Sequence, residues 1–258
     1  MTPMDCAVPA LFISPDSLPR LGAPSNATCD YLGKFADAIE GKDILCIGYD
    51  EAQIDEWVSK FKPRSITCLT FWADHTDGAV TKYPLIVGDI TQRTAFPDNR
   101  FDAVVSLSTL EHLGDLEAGL VEMKRLTRSG GNVLAMFGPA WSSAYGHHIY
   151  ERAGDAFLDF SKWQLPAFLH LLCSPEQIRS FYGDDADAAL HWFYEAPHIN
   201  RLMYDDYVRL FFKHFQVQTI EHMTLDVPAE ILSLLRRKYA PYADFSTYGG
   251  SYRLKVIK

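Results

Sequence analysis

The stretch from Gly88 to Gly138 most constrains what this chain can fold into, because strand, helix and strand follow one another within it. FDAVVSL (101–107) is a short apolar run rich in β-branched residues, as expected of a strand covered on both faces in a parallel sheet. GNVLAMFG (131–138) repeats that pattern after a glycine pair. Between them Leu116, Leu120, Met123 and Leu126 recur at helical spacing, with Glu117, Glu122, Lys124 and Arg125 on the other faces. Ser129-Gly130-Gly131 supplies the helix stop. Two strands joined by a crossover helix make a βαβ unit.

The same alternation runs through the surrounding chain. Strands are expected at 43–48, 65–70, 84–88, 101–107 and 132–138, with a helix around 51–60 after the first. FQVQTIEHMTL (215–225) reads as a sixth strand, AEILSLLRRKY (229–239) as a helix and SYRLKVIK (251–258) as a last strand. Strands spaced by helical segments make an α/β, doubly wound, mostly parallel sheet. Residues 1–22 are punctuated by Pro3, Pro9, Pro15, Pro19 and Gly22 and read as a lead-in, followed by a helix over 26–39 that would lie across the ligand site. The expected organisation is one domain, with a lead-in and capping helix (1–40), a core (41–150), a helical lid or substrate insertion (151–214) and C-terminal strands and helix (215–258).

Asp89, the FPDNRFDAVVS run, Leu110-Glu111-His112, the helix ending in RLTRSGG and the following LAMFGP resemble the class I S-adenosylmethionine-dependent methyltransferases, in particular their type 11 domain. The resemblance is close over residues 40–150 and looser elsewhere. It implies a Rossmann-like sheet of seven strands whose last member pairs antiparallel, with S-adenosylmethionine as cofactor. It also implies that the acid after the third strand lies near the adenine and that residues after the fourth face the methyl donor.

Two polar handles of that family are missing. Where it carries an acid and then a glycine-rich turn after the first strand, this chain reads Cys46-Ile47-Gly48-Tyr49-Asp50-Glu51-Ala52, and only Gly48 remains. At the end of SITCLTF the usual ribose-binding acid is replaced by Thr70. A hydrogen bond to a charged acceptor contributes roughly 1.5–3 kcal/mol, so two uncompensated losses would weaken donor binding by about a hundredfold or more. Either Tyr49, Asp50 and the other contacts compensate, or the protein has kept the fold and become a binding or regulatory partner, or an enzyme that needs no donor.

Open α/β sheets bind ligands at the carboxyl ends of their strands, so the loops after Ile47, Leu69, Val87, Leu107 and Phe137 should converge. The expected donor site is Gly48, Tyr49, Asp50, Thr70, Phe71, Asp89, Ile90, Ser108, Glu111 and His112. Methyl transfer to oxygen or nitrogen requires alignment and removal of a proton, for which histidine is suited near neutral pH. His147 and His148 follow the fifth strand, where the acceptor should enter, and are the candidate bases; their competing role is backbone hydrogen bonding. Trp141, Tyr145 and Tyr150 are candidate substrate contacts, and Trp163, Trp192, Phe193 and Tyr194 extend the aromatic run. His191 and His198 read as core or surface residues. No spaced ligand motif of the HExxH kind is present and no metal is expected, a site built from His112, His147 and an acid being the alternative.

Composition supports a small-molecule enzyme. Of 258 residues, 48% are apolar, enough for a sizeable core, while 24 basic against 33 acidic residues leave a net charge of −9. That balance argues against nucleic acid or an anionic membrane as partner, and a small-molecule acceptor is expected. Five cysteines, Cys6, Cys29, Cys46, Cys68 and Cys173, form no CxxC pair and read as reduced, hence cytoplasmic. The first twenty residues lack the pattern of a secretory signal and no apolar run approaches a membrane span of about 18 residues. The aromatic 151–214 segment suits a lid or a homodimer surface.

Overall fold

Apolar runs and amphipathic stretches alternate as Asp43–Ile47 (β1), Glu51–Phe61 (α1), Ser65–Thr70 (β2), Leu85–Val87 (β3), Phe101–Leu107 (β4), Leu116–Leu126 (α2) and Thr127–Phe137 (β5) in the computed structural model. After them come the hairpin Tyr150–Ala153 (β6) and Ala156–Asp159 (β7), and the short helices Leu169–Leu172 (α3), Pro175–Tyr182 (α4) and Ala186–Leu190 (α5). Tyr204–His214 (α6), Gln216–Thr224 (β8), Ala229–Lys238 (α7) and Thr247–Lys255 (β9) complete the chain. The structure describes residues 14–21, 31–71, 81–153, 156–162, 164–183, 186–197 and 199–258. Cys6, Cys29, Trp163, His198, most of the lead-in and the start of the expected 26–39 helix lie outside the described residues.

Seven strands form one sheet in the order β3-β2-β1-β4-β5-β9-β8. The run from β3 to β5 is parallel, and β9 pairs antiparallel with both β5 and β8. This is the doubly wound, mostly parallel sheet expected, with its antiparallel last strand. Strand periodicity divides the core into two faces. Leu45, Ile47, Val104, Val133 and Phe137 pack with α2 and α6, while Ile44, Cys46, Ala103, Val105 and Leu134 pack with α1.

Three local expectations change. Ser129-Gly130-Gly131 is not the turn that ends α2 but part of β5, in a bulge between the pairs Phe101–Thr127 and Ala103–Asn132. The helix stops earlier, where the Thr127 hydroxyl donates to the Met123 carbonyl at 2.7 Å. The described part of the 26–39 segment is a 3-10 helix, Leu32–Ala38, whose Leu32 and Phe35 pack with Trp57 of α1 and do not line the cleft described below. α6, expected within the insertion, presents Tyr204, Tyr207, Leu210 and Phe211 to the sheet, the period of one helix face.

The 141–199 region builds its own apolar cluster, in which Trp141, Tyr145, Phe168, Leu172 and Phe193 join Leu235 of α7. Two histidines lie inside it. His170 donates from Nε2 to the Trp141 carbonyl at 2.9 Å, and His147 accepts at Nδ1 from the Ile149 N–H at 3.1 Å. Their rings meet edge to face at 5.2 Å, and the remaining nitrogen of each is buried without a hydrogen-bond partner. Burial pulls His170 from its ordinary 6.5 down to about 4, and burial together with the neighbouring His170 and His148 lowers His147 well below that ordinary value.

Two stability measurements follow. Phe137 stacks on Tyr207 at 4.2 Å and also faces Tyr252 and Tyr204. Phe137→Ala should therefore cost about 3–5 kcal/mol of unfolding free energy in urea titrations. His170 has a folded pKa of about 4, below its unfolded 6.5, so the unfolded chain binds the proton first as pH falls. Stability should be full above the unfolded value and decline between the two, by about 3 kcal/mol in total for this group. Urea midpoints measured at neutral pH and near the lower value should show that decline, and His170→Gln should flatten it.

Candidate active site

The strands β1 to β4 end at one cleft of about 730 Å³, within the usual range for small-molecule sites, whereas the loop after Phe137, expected to converge there too, does not line it. β1 delivers Gly48, whose φ of +91° lies in the left-handed region. A Cβ there would sit 2.9 Å from the Thr109 hydroxyl, so glycine is required both for the turn and for close approach of the two loops. The next residues start α1. Asp50 caps it by accepting from the Gln53 N–H at 3.0 Å, and the Tyr49 hydroxyl donates to Glu51 at 2.6 Å. In place of a glycine-rich turn, the chain thus has a turn braced by its own side chains.

β2 ends in Thr70, which is buried, and then Phe71, which is 64% exposed at the cleft. After β3, Asp89 accepts at Oδ1 from both the N–H and the hydroxyl of Thr91, each at 2.8 Å, which makes its loop rigid and turns Ile90 inward. After β4, Ser108 adopts φ +49°, a costly angle for a residue with a Cβ, and its N–H donates to the Met136 carbonyl at 2.8 Å. Thr109 then contacts the Ile47 and Leu107 carbonyls through its hydroxyl at 3.2 and 2.9 Å, which ties the loop after β4 to the end of β1.

At the far end stands the short 3-10 turn Leu110–His112. His112 is exposed and lines the cleft, while Glu111 is 2% exposed behind it. Glu111 accepts at Oε1 from the Gly138 N–H at 3.1 Å, and its Oε2 is buried with no hydrogen-bond partner. Burial pushes its carboxyl above the ordinary carboxylate range, against the opposing pull of His112. Asn200 holds this turn from outside, donating from Nδ2 to the Leu110 carbonyl at 2.8 Å and from its backbone to the Glu111 carbonyl at 3.0 Å.

The expected donor residues Gly48, Tyr49, Asp50, Thr70, Phe71, Asp89, Ile90, Ser108 and His112 all line the cleft, and Glu111 lies immediately behind it. The two candidate bases separate. Both are buried: His148, at 4% exposure, meets the His112 ring at 5.4 Å without itself lining the cleft, whereas His147, at 0%, points into the apolar cluster with His170 and Phe193. Trp141 and Tyr145 belong to that same cluster; the Tyr145 hydroxyl donates to the Leu21 carbonyl at 2.7 Å and accepts from the Leu21 N–H at 3.0 Å. Tyr150 is 59% exposed on the β6–β7 hairpin beside Phe157. Phe193 is core, Trp192 donates to Glu151 at 2.6 Å, and His191 is exposed beside Glu195.

Sequence reasoning missed Gln53, Thr109, Pro197 and Asn200. Gln53 and Thr109 follow named residues by one helical turn and one position, so the motif could have been extended to them. Pro197 and Asn200 reach the site from the insertion, which no local pattern announces.

Residues 28–135 match the family described as a methyltransferase domain. The demethylmenaquinone methyltransferases of Mycolicibacterium gilvum and Mycobacterium tuberculosis are 44% identical to this chain over 57 residues, which is 22% of this chain and 25% and 24% of theirs. The match thus spans about a quarter of the length of those curated relatives. Among solved structures, a SAM dependent methyltransferase from Archaeoglobus fulgidus is similar with a TM-score of 0.50 at 15% identity, covering 87% of this chain and 90% of that one. The geranyl diphosphate C-methyltransferase from Streptomyces coelicolor, solved with Mg2+, geranyl diphosphate and S-adenosyl-L-homocysteine, has a TM-score of 0.51 at 12% identity, covering 88% of this chain and 77% of that one. At such identities the likeness is one of fold. No helix among the described residues is long and apolar enough to cross a membrane.

Proposed function

We propose that this chain is a class I S-adenosylmethionine-dependent methyltransferase that transfers a methyl group from S-adenosylmethionine to an oxygen or nitrogen of a small-molecule acceptor in the cytoplasm. The observation that carries this reading is the cleft shared by the carboxyl ends of β1 to β4, where Gly48, the one retained glycine, makes the left-handed turn that brings the loop after β1 against Thr109. The donor supplies a methyl carbon on a cationic sulfur, open to in-line attack. Everything else is positioning by the chain.

In this reading Asp89 accepts from the adenine amino group, with its loop held by Thr91, and Phe71 and Ile90 cover the two faces of the base. Thr70, Asp50 and Gln53 offer polar atoms toward the ribose, in place of the acid that β2 lacks. A neutral hydroxyl contributes about 0.5–1.5 kcal/mol where a carboxylate would contribute about 1.5–3, so the site compensates only in part. Tyr49 and the backbone of Gly48 and Ser108 border the rest of the donor.

His112, His148 and Glu111 form the acceptor end. The Nδ1 of His148 lies 2.8 Å from the Gly146 carbonyl, which can only accept, so the proton is on Nδ1 and Nε2 carries the lone pair a base requires. His147 is assigned to packing, since its ring is enclosed by Tyr145, His170 and Phe193. Trp141 and Tyr145 support this region from within the same cluster, and Tyr150 is a rim residue that meets only acceptors long enough to reach the hairpin.

Calorimetric titration with S-adenosylmethionine and S-adenosylhomocysteine tests the reading. Micromolar binding is expected, and no saturable binding up to about millimolar would mean that the fold was kept and the donor abandoned. Asp89→Asn keeps an oxygen for the Thr91 turn and should weaken donor binding about tenfold to a hundredfold. In a methyl-transfer assay His148→Ala should reduce turnover about a hundredfold with donor affinity little changed. Normal turnover in that variant would remove His148 as base.

A further inference from the structure

We propose that Glu111, His112 and His148 form a three-donor site for a divalent transition-metal ion at the acceptor end of the cleft. Each offers one ligand atom, and these atoms all lie within 4.8 Å of one another. Two imidazole nitrogens with one carboxylate oxygen suit zinc, cobalt, manganese or iron(II), whereas magnesium prefers oxygen ligands. Donors about 2.1 Å from a tetrahedral ion sit roughly 3.4 Å apart, so binding requires the cluster to close by up to about 1.4 Å. His112 is exposed and can close that gap by rotation of its side chain.

Three further features point the same way. Glu111 Oε2 is buried with no hydrogen-bond partner, close to the ligand atoms of His112 and His148. Burying an ionised carboxylate is costly unless a cation or several donors compensate, and a metal ion beside Oε2 would do so. His148 has the support expected of a ligand, with its Nδ1–H given to the Gly146 carbonyl so that Nε2 is the coordinating atom. Its backbone is also held in a costly conformation, at φ +51°. Gly146, where a Cβ would lie 2.3 Å from the Ala140 carbonyl, lets that turn pack directly against the chain after β5.

Of the three, His112 lines the cleft, so a hydroxyl or other oxygen of the acceptor would approach the ion from that side. This inference takes from the proposed function only the place of the acceptor end; with an ion on Nε2, His148 acts as a ligand and not as the base, because one lone pair cannot hold both an ion and a proton. Its test contains neither donor nor acceptor, so failure to bind an ion and failure to bind S-adenosylmethionine are separate results.

The experiment is titration of the untagged, chelator-treated full-length protein with Zn2+ by calorimetry and with Co2+ by visible absorption. One equivalent of either ion should bind saturably, and Glu111→Gln and His112→Ala should each weaken it at least tenfold. Thermal unfolding of each variant shows that it is folded, and the exposed His112 can be replaced without opening the core. The wild-type melting temperature should rise with Zn2+, and that of Glu111→Gln should not. Replacing His191 and His214, which stand beside Glu195 and Glu117 on the surface, should leave the one-equivalent affinity unchanged. Absence of one-equivalent binding, or binding that survives both Glu111→Gln and His112→Ala, would overturn the proposal.

Discussion

The parallel pairing of β1 with β4 is the constraint from which the rest of the site follows. Both strands are buried on both faces, so their register is set by packing as well as by hydrogen bonds, and Ile47 is held opposite Ser106. The loops after them must therefore leave the sheet side by side. Gly48 and Thr109 meet there, with no room for a side chain between them, and the Thr109 hydroxyl bonds back to the Ile47 carbonyl. A slip of one residue would exchange the two faces of the sheet and separate these loops.

Around that pair, polar groups of the turns are largely spent on holding the loops. Asp50 caps α1, Asp89 closes its own turn with Thr91, and Glu51 takes the Tyr49 hydroxyl. Where the methyltransferases it resembles carry a glycine-rich turn, this chain has side-chain bracing, which gives less freedom of approach and a fixed wall. Glu111 is the exception, a buried carboxyl satisfied at only one oxygen. Unspent hydrogen-bonding capacity inside a protein is expensive, and here it lies next to His112 behind the wall of the cleft.

The insertion does two jobs that its composition alone does not separate. One part makes an apolar cluster around Trp141, Tyr145, His147 and His170, which anchors Leu21 and α7 to the body of the protein. The other part returns to the sheet: α6 stacks Tyr207 on Phe137, and Asn200 accepts from the Tyr207 hydroxyl while gripping the Leu110–His112 turn. Packing of α6 is in this way connected to the position of Glu111 and His112 through one side chain.

Strand and helix periodicity, together with the residues around Asp89 and Glu111, were enough to determine the doubly wound sheet and nine of the residues that line the cleft. Those residues sit at strand ends, and position along a strand maps directly onto one edge of the sheet. The bulge at Ser129-Gly130-Gly131 and the docking of α6 were not legible, because each depends on a neighbour far away in the chain. The sharpest division falls between His147 and His148. Tertiary packing separated them, since the cluster around His170 and Phe193 encloses the first and leaves the second, also buried, against the cleft-lining His112.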